Sequence, residues 1–164
     1  MRSCFFGDAV FWDLRLRIDV SQQSPSMGGL PSEDQLMQIL LVTEEELLAE
    51  LIAFRLELLG HSVEIKANSE QMLRSLQDST YSLLILDTQL PDTNTRDSLS
   101  KVRSRWSKDI LPILMISMDQ SLELVELAFR CGADDYLLAP FDPQAMQNKL
   151  EELLNGRRLV SKLN

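Results

Sequence analysis

The stretch LLILDTQLPDTNT, Leu83 to Thr95, joins a short aliphatic run to an aspartate, then to polar residues and a proline. An aliphatic run without alternation is typical of a strand that is buried on both faces, as in a parallel sheet. Asp87 follows this run directly. Ligands and chemistry gather beyond the carboxyl ends of strands in open parallel sheets, which makes Asp87 the first candidate functional residue.

The same pattern repeats on both sides of this stretch. Four other aliphatic runs are QILLV, SVEIKA, PILMIS and DYLLA. Segments of helical periodicity follow the five runs, and we predict helices over residues 44–59, 69–77, 96–106, 120–131 and 143–154. Alternating strands and helices predict an α/β fold in which a doubly wound, five-stranded parallel sheet is covered on both faces.

The residues that mark where a helix begins or ends are clearest in the first and the last of these helices. In the first, acidic residues occupy the first turn, Gly60 is predicted to end the helix, and one stripe is predicted to face the sheet. That stripe comprises Leu47, Leu48, Leu51, Ile52, Leu58 and Leu59. In the last helix, Asp142 is the predicted N-cap and Pro143 the first helical residue.

Chain length and composition predict one domain with flanking segments. A chain of 164 residues suits a single domain, which we place at residues 37–154. Residues 1–36 include the linker-like SQQSPSMGGLPSEDQ, and are either an extension without fixed structure or a partner-binding arm. Residues 155–164 are predicted to be a tail or the start of a linker.

Charge and hydropathy exclude several classes of partner. The net charge of −9 and the lack of a basic stripe argue against nucleic-acid binding by this chain alone. No apolar run reaches the length of a membrane span, and Asp8 and Asp13 interrupt any signal-peptide pattern. Cys4 and Cys131 suggest reduced thiols. We therefore expect a cytoplasmic protein without a membrane association.

Polar residues follow several of the predicted strands. They include Thr43 and Glu44 after the first strand, Asp87 after the third and Ser117 after the fourth. A carboxylate pair of Glu44 and Asp87 could hold a hard divalent cation such as Mg²⁺. Alternatively, Glu44 to Glu46 form only the solvated first turn of a helix.

Four segments resemble, in order and spacing, the motifs of the response regulator receiver (CheY-like) family. They are ILLVTEEELLAELIAFRLELLGHSVE, LLILDTQLPD, PILMIS and GADDYLLAPFDP, and the resemblance covers about residues 37–154. It implies the flavodoxin-like strand order 2-1-3-4-5. It also implies a two-component system, in which a histidine kinase phosphorylates an aspartate and the face of the fourth helix, fifth strand and fifth helix responds.

The resemblance assigns a role to each matching position. Asp87 is implied as the phosphoacceptor, Ser117 as the hydroxyl switch and Tyr136 as the aromatic switch. The carbonyl of Gln89 would join Asp87 and Glu44 as ligands of a weakly held Mg²⁺, and no other cofactor is expected.

Three departures from the family pattern affect that chemistry. Thr43 replaces the first of two acidic residues after the first strand, and Ala139 replaces the lysine that contacts the phosphoryl group. Asn94 and Thr95 stand where a glycine usually shapes the loop after the acceptor. The pocket is therefore predicted to be degenerate, with weakened Mg²⁺ binding and no cation to read a phosphoryl group.

The fourth helix is predicted to contribute an interface. Val125, Ala128 and Phe129 fit a sheet-facing stripe, whereas Leu124 and Leu127 lie off it. The GADDY motif resembles receivers of winged-helix (OmpR/PhoB-type) response regulators, which implies a homodimer through this face. Charged candidates for that contact are Asp134, Asp135 and Lys149. A long loop or the N-terminal segment could instead cover the strip.

These observations favour an atypical receiver: a signalling module without enzymatic activity that acts through protein contact, independently of phosphorylation. The alternative is a conventional phosphorelay receiver, phosphorylated on Asp87 by a histidine kinase and serving as the regulatory part of a DNA-binding transcription regulator. A flavin or nucleotide carrier is disfavoured because TEEEL would repel phosphate. A phosphohydrolase is disfavoured because Gln89 stands where a second aspartate would be needed.

Overall fold

The protein was analysed as a computed structural model that describes residues 36–161, with side chains described to residue 155. Strands and helices alternate along this region as the sequence predicts. The elements are β1 (Gln38–Val42), α1 (Glu46–Leu58), β2 (Ser62–Lys66), α2 (Ser69–Asp78), β3 (Leu83–Asp87), α3 (Thr95–Arg103), β4 (Ile113–Ser117), α4 (Leu122–Cys131), β5 (Asp135–Leu138) and α5 (Pro143–Ser161). Among the described helices, none combines the length and apolar character that a membrane span requires.

All five strands pair in parallel in the order β2-β1-β3-β4-β5, which confirms the predicted sheet. Every residue of β3 and of β4 is buried. Their uninterrupted aliphatic sequences suit this central position, where helices cover both faces. Val42 lies beside Leu86, and Asp87 lies beside Ile116, so the carboxyl ends of β1, β3 and β4 meet at one edge.

The sheet divides the apolar core into two layers. On one face, side chains of α2, α3 and α4 pack on Leu40, Leu84 and Met115. On the other face, side chains of α1 and α5 pack on Ile39, Ile85 and Leu114. Successive side chains of a strand point to opposite faces of the sheet, so each strand contributes residues to both layers and packs against helices on both sides.

The predicted sheet-facing stripe of α1 was wrong in part. The buried residues of α1 are Ala49, Ile52, Ala53 and Leu56. Leu47, Leu51 and Leu58 are instead exposed by 80%, 62% and 63%. Because α1 is apolar on two opposite faces, periodicity alone could not decide which one the sheet covers. Gly60 does end the helix as predicted, at a φ of 85°.

Two other helices differ from the prediction. The last helix continues past residue 154 to Ser161, so part of the predicted tail is helical. In α4, Phe129 is 44% exposed, and its predicted position against the sheet is wrong. Ala128 is the buried residue of that helix, while Val125 is only partly buried. Predictions on residues 1–35, including Cys4, lie outside the described residues.

Candidate functional site

Asp87 ends β3 with its carboxylate held by hydrogen bonds on both oxygens. The hydroxyl of Thr43 donates to Oδ2 at 2.7 Å, and the backbone N–H of Gln89 donates to Oδ1 at 2.9 Å. Thr43 is 2% exposed and Asp87 is 7% exposed. Because β1 and β3 are neighbours, the sheet itself brings these two residues together. The carboxylate therefore sits in a nearly closed pocket with a neutral donor as its side-chain partner.

The hydroxyl of Thr88, which follows β3, contacts the hydroxyl of Ser117, which ends β4. The Thr88 hydroxyl donates to Ser117 Oγ at 2.8 Å, and the Asp119 N–H donates to the same oxygen at 3.0 Å. Ser117 is 1% exposed, and its carbonyl accepts the N–H of Ala139 at 2.7 Å. The predicted hydroxyl position is thus buried and fully engaged with its neighbours.

Tyr136 extends the site from β5. Its ring is buried, and its hydroxyl makes no hydrogen bond within the described residues. Burial raises the pKa of the Tyr136 phenol, and the negative charges of Asp119 and Asp87 act in the same direction. The nearby hydroxyls of Ser117 and Thr88 act in the opposite direction on this pKa. The phenol of Tyr136 therefore lies close enough to Ser117, Thr88 and Asp87 for these side chains to influence it.

The Asp87 carboxylate has no cationic partner among the described residues. Ala139, which aligns with the lysine of the family that the sequence resembles, is 4% exposed and precedes Pro140 through a cis peptide bond. Within the described part of the chain, no lysine or arginine forms an ion pair with Asp87. Its hydrogen-bond donors there are the Thr43 hydroxyl and the Gln89 N–H.

The predicted Mg²⁺ ligands are the carboxylates of Glu44 and Asp87 and the backbone carbonyl of Gln89, and this assignment stays a prediction. Glu44 is exposed, whereas Asp87 is buried. No group of three or more acidic, histidine or cysteine side chains that could hold an ion occurs in the described region. Mg²⁺ sites often use only one or two carboxylates together with water, so Asp87 is the buried carboxylate that could contribute to weak Mg²⁺ binding.

Asp92 was missed by sequence analysis, although it anchors the loop after Asp87. It accepts the N–H of Ser69 at 3.0 Å, the hydroxyl of Ser69 at 2.6 Å and the N–H of Glu70 at 3.1 Å. Burial alone would raise the pKa of Asp92, but the hydrogen bonds from Ser69 and Glu70 outweigh it and lower the pKa. A contact across 23 residues leaves no local signal in the sequence.

The charged residues predicted for the interface are paired inside the domain. Asp134 accepts a hydrogen bond from Arg103 at 2.6 Å and is only 14% exposed. Asp135 pairs with Lys149 at 2.7 Å. These internal contacts leave Asp134 with little capacity to reach another molecule.

The apolar part of that surface also differs from the predicted one. Leu124 and Leu127 are half-buried. The exposed apolar residues near α4 are instead Met118, Leu122 and Phe129, at 64%, 69% and 44%.

A parallel sheet in the order 2-1-3-4-5, a buried aspartate at the end of β3, a hydroxyl residue at the end of β4 and a tyrosine on β5 are features of the CheY-like class of signalling domain. The family description "Response regulator receiver domain" matches residues 39–151, and the chain belongs to that family. Receiver domains are components of two-component signal transduction. The chain spans about half the length of several transcriptional regulators that it matches.

The chain is also similar to individual proteins, in sequence and in structure. The chain is 30% identical over 125 residues to the alkaline phosphatase synthesis transcriptional regulatory protein PhoP of Bacillus subtilis. The matched region covers 76% of this chain and 51% of PhoP. A receiver domain protein (CheY-like) from Methanospirillum hungatei superposes with a TM-score of 0.70 and 26% identity, over 75% of this chain and 97% of that one. The receiver domain of the sensor histidine kinase PA1611 from Pseudomonas aeruginosa, described with magnesium coordinated in its active site cleft, superposes with a TM-score of 0.67 and 24% identity, over 73% of this chain and 98% of that one.

Proposed function

We propose that this chain is a receiver domain that signals through protein contact and does not depend on phosphorylation of Asp87. The observation that carries the proposal is the 2.7 Å hydrogen bond from the Thr43 hydroxyl to Asp87 Oδ2. A neutral donor lies against the carboxylate, at the position where the family has an acidic residue. Signalling by contact leaves the chain without an enzymatic role.

The electrostatics of phosphoryl transfer support this proposal. The transferred group carries negative charge, and a carboxylate can accept it only where cations offset the repulsion. Ala139 supplies a methyl group at the position of the family's lysine, and it is 4% exposed. A hydroxyl donates one hydrogen bond but carries no charge, so Thr43 does not replace the missing cation.

The remaining predicted ligands, which are Asp87, Glu44 and the carbonyl of Gln89, would bind Mg²⁺ only weakly. Thr43 removes one acidic ligand, and Glu44 is exposed on the first turn before α1. We therefore propose either no cofactor or only weak Mg²⁺ binding.

Incubation with acetyl phosphate and Mg²⁺, followed by intact-mass analysis, tests the proposal. The wild-type chain should gain no phosphoryl adduct. The double substitution Thr43→Asp with Ala139→Lys should gain one, because it restores an acidic ligand and a cation beside Asp87. Adding Asp87→Asn to that double variant should abolish the adduct. A wild-type adduct that disappears in Asp87→Asn would overturn the proposal.

A conventional phosphorelay receiver is the second candidate, and the preserved acceptor geometry favours it. Asp87 ends β3 and Ser117 ends the neighbouring strand β4, which supports this alternative. In that case a histidine kinase would phosphorylate Asp87, and the chain would be the regulatory part of a DNA-binding regulator. PhoP of Bacillus subtilis, a transcriptional regulatory protein about twice as long as the matched region, supports this reading.

The contact surface that we propose is the face of α4, β5 and α5. Met118, Leu122 and Phe129 expose apolar area there, while Asp135 and Lys149 neutralise each other. A homodimer or protein partner on this face would be held mainly by apolar contact, so its affinity should depend little on salt. We place this activity in the cytoplasm and, given the net charge of −9, apart from nucleic acid.

A further inference from the structure

The outer face of α1 is an exposed apolar stripe that the proposed function does not use. It consists of Leu47, Leu51, Phe54 and Leu58, which are 80%, 62%, 61% and 63% exposed. The opposite face of the same helix is buried against the sheet. A helix that is apolar on all sides normally has both faces covered, so this stripe marks a contact surface.

The spacing of the four residues fits a helix partner. Their sequence separations are four, three and four residues, the alternation that defines positions a and d of a coiled-coil seam. Leu51 and Leu58 fall at position a, and Leu47 and Phe54 at position d. Because the buried residue Ile52 and its neighbours lie on the opposite side, the seam points directly away from its own domain.

The charges beside the stripe indicate which helix fits it. Glu50 occupies position g and Arg55 position e. Within the described residues neither forms an ion pair, and Arg55 Nε is buried without a hydrogen-bond partner. In a parallel pair of identical helices, position g of one copy meets position e of the next heptad on the other, which joins Glu50 to Arg55 twice. An antiparallel pair would oppose Glu50 and Glu57 instead.

We propose that the α1 stripe binds the α1 stripe of a second copy of this chain, as a short parallel two-helix seam. Leu51 would pack on Leu51 of the second copy, flanked by the two Glu50–Arg55 pairs. Covering the four side chains and their flanks on both copies would bury on the order of 1,000 Å², the lower limit for a specific interface. The dimer is therefore reversible, and it is independent of Asp87 and of the α4 surface.

Sedimentation equilibrium of the full 164-residue chain, at about 1 to 200 µM, tests this proposal. The wild-type chain should show a monomer–dimer equilibrium. Leu51→Asp should raise the dimer Kd at least about 100-fold, because it places two charges in the seam. Ile110→Asp is the matched control outside both proposed surfaces, where the side chain is 52% exposed, and should leave the Kd unchanged. A monomeric wild type, or a dimer weakened by the α4 variant Leu122→Asp and not by Leu51→Asp, would overturn the proposal.

Charge exchange tests the parallel register separately. Glu50→Arg and Arg55→Glu should each raise the Kd about tenfold, and the double variant should restore it. An antiparallel seam would give the opposite result for Glu50→Arg, which would then bind more tightly through Glu57. If the wild type stays monomeric but binds a synthetic Leu/Lys amphipathic helix, the stripe serves a basic partner and not a second copy.

Discussion

At the scale of single residues, the surroundings of Asp87 are set by small uncharged side chains. Thr43 and Ala139 are both buried, and the hydroxyl of Thr43 donates to the Asp87 carboxylate. Asp87 keeps its place at the end of β3 because strand pairing fixes it there. The position of a residue and its reactivity are thus set by different neighbours.

The partly buried ion pair of Arg103 and Asp134 should be the strongest polar contribution to stability in the described domain. Arg103 also donates to the carbonyls of Gly132 and Leu111, at 2.7 Å each. Arg103→Met would leave Asp134 with the Ile113 N–H and Lys108 as its partners, at a cost of about 2 kcal/mol in the free energy of unfolding. Urea denaturation measures that cost.

Arg74→Met is the matched control for Arg103→Met, because Arg74 pairs with Glu70 on an exposed helix surface, where both side chains are at least 70% exposed. It should cost less than about 0.5 kcal/mol. Equal losses in the two variants would contradict a special role for the partly buried pair.

The hydrogen bond from Tyr81 to Glu64 should make stability depend on acid pH. The Tyr81 hydroxyl donates to Glu64 at 2.5 Å, and this contact, with help from Lys66, lowers the pKa of Glu64 below its usual 4.5. A lowered carboxyl pKa adds stability above the unfolded value and loses it as pH falls through the folded value. Tyr81→Phe should therefore cost about 1 kcal/mol near pH 7 and progressively less below about pH 4.

Urea midpoints measured across this pH range test the Tyr81 prediction. Tyr136→Phe is the control, because the Tyr136 hydroxyl has no hydrogen-bond partner among the described residues. Its effect should not vary between these pH values. A constant effect of Tyr81→Phe over the same range would contradict the prediction.

At the scale of elements, Asp92 joins two segments that are distant in sequence. It caps the amino end of α2 from the loop between β3 and α3. Asp92→Ala should lower the free energy of unfolding by about 1 to 2 kcal/mol, the range for a lost helix cap. Hydrogen exchange should accelerate at the Ser69 and Glu70 amides.

Asp97→Ala provides the comparison for Asp92→Ala. Asp97 lies in the first turn of α3 and accepts a hydrogen bond from the Asn94 side chain on the surface. Its loss should affect stability by less than about 0.5 kcal/mol and leave exchange at Ser69 unchanged. Faster exchange at Ser69 in Asp97→Ala, and not in Asp92→Ala, would refute the capping role.

The helices also show where sequence patterns stop being informative. The cap of α2 at Asn68 and the left-handed Gly132 after α4 are local signals, and both helices lie close to their predicted bounds. In α1, the buried face carries Ala49, Ile52, Ala53 and Leu56, and the opposite face is also apolar. Periodicity cannot rank two apolar faces of one helix, so the predicted stripe was wrong in part.

At the scale of the whole molecule, the two core layers should respond independently to mutation. Ile52 belongs to the layer under α1 and α5, and Ile113 to the layer under α2, α3 and α4. Ile52→Val and Ile113→Val should each cost about 1 kcal/mol. The double variant should equal their sum within about 0.5 kcal/mol, as measured by urea denaturation. A larger deviation would indicate that the sheet couples the layers.

The fold could be predicted almost completely, because strand–helix alternation and family motifs determine a parallel sheet. For the site, the sequence predicted that Asp87 and Ser117 follow neighbouring buried strands, and they end β3 and β4, whereas the roles assigned to Asp87, Ser117 and Tyr136 stay predictions. What the sequence could not supply were contacts between distant residues. The Thr43–Asp87 hydrogen bond and the internal pairing of Asp134 arise only when strands and loops come together.

The Thr43–Asp87 hydrogen bond bears on how fast such a protein could be switched. A phosphorylated receiver can be reset within its own lifetime, since the acyl phosphate can be hydrolysed and replaced. Under the proposed function, a chain whose carboxylate takes no phosphate has no such reset. Its output would follow the number of copies present, so synthesis and proteolysis would set the response time.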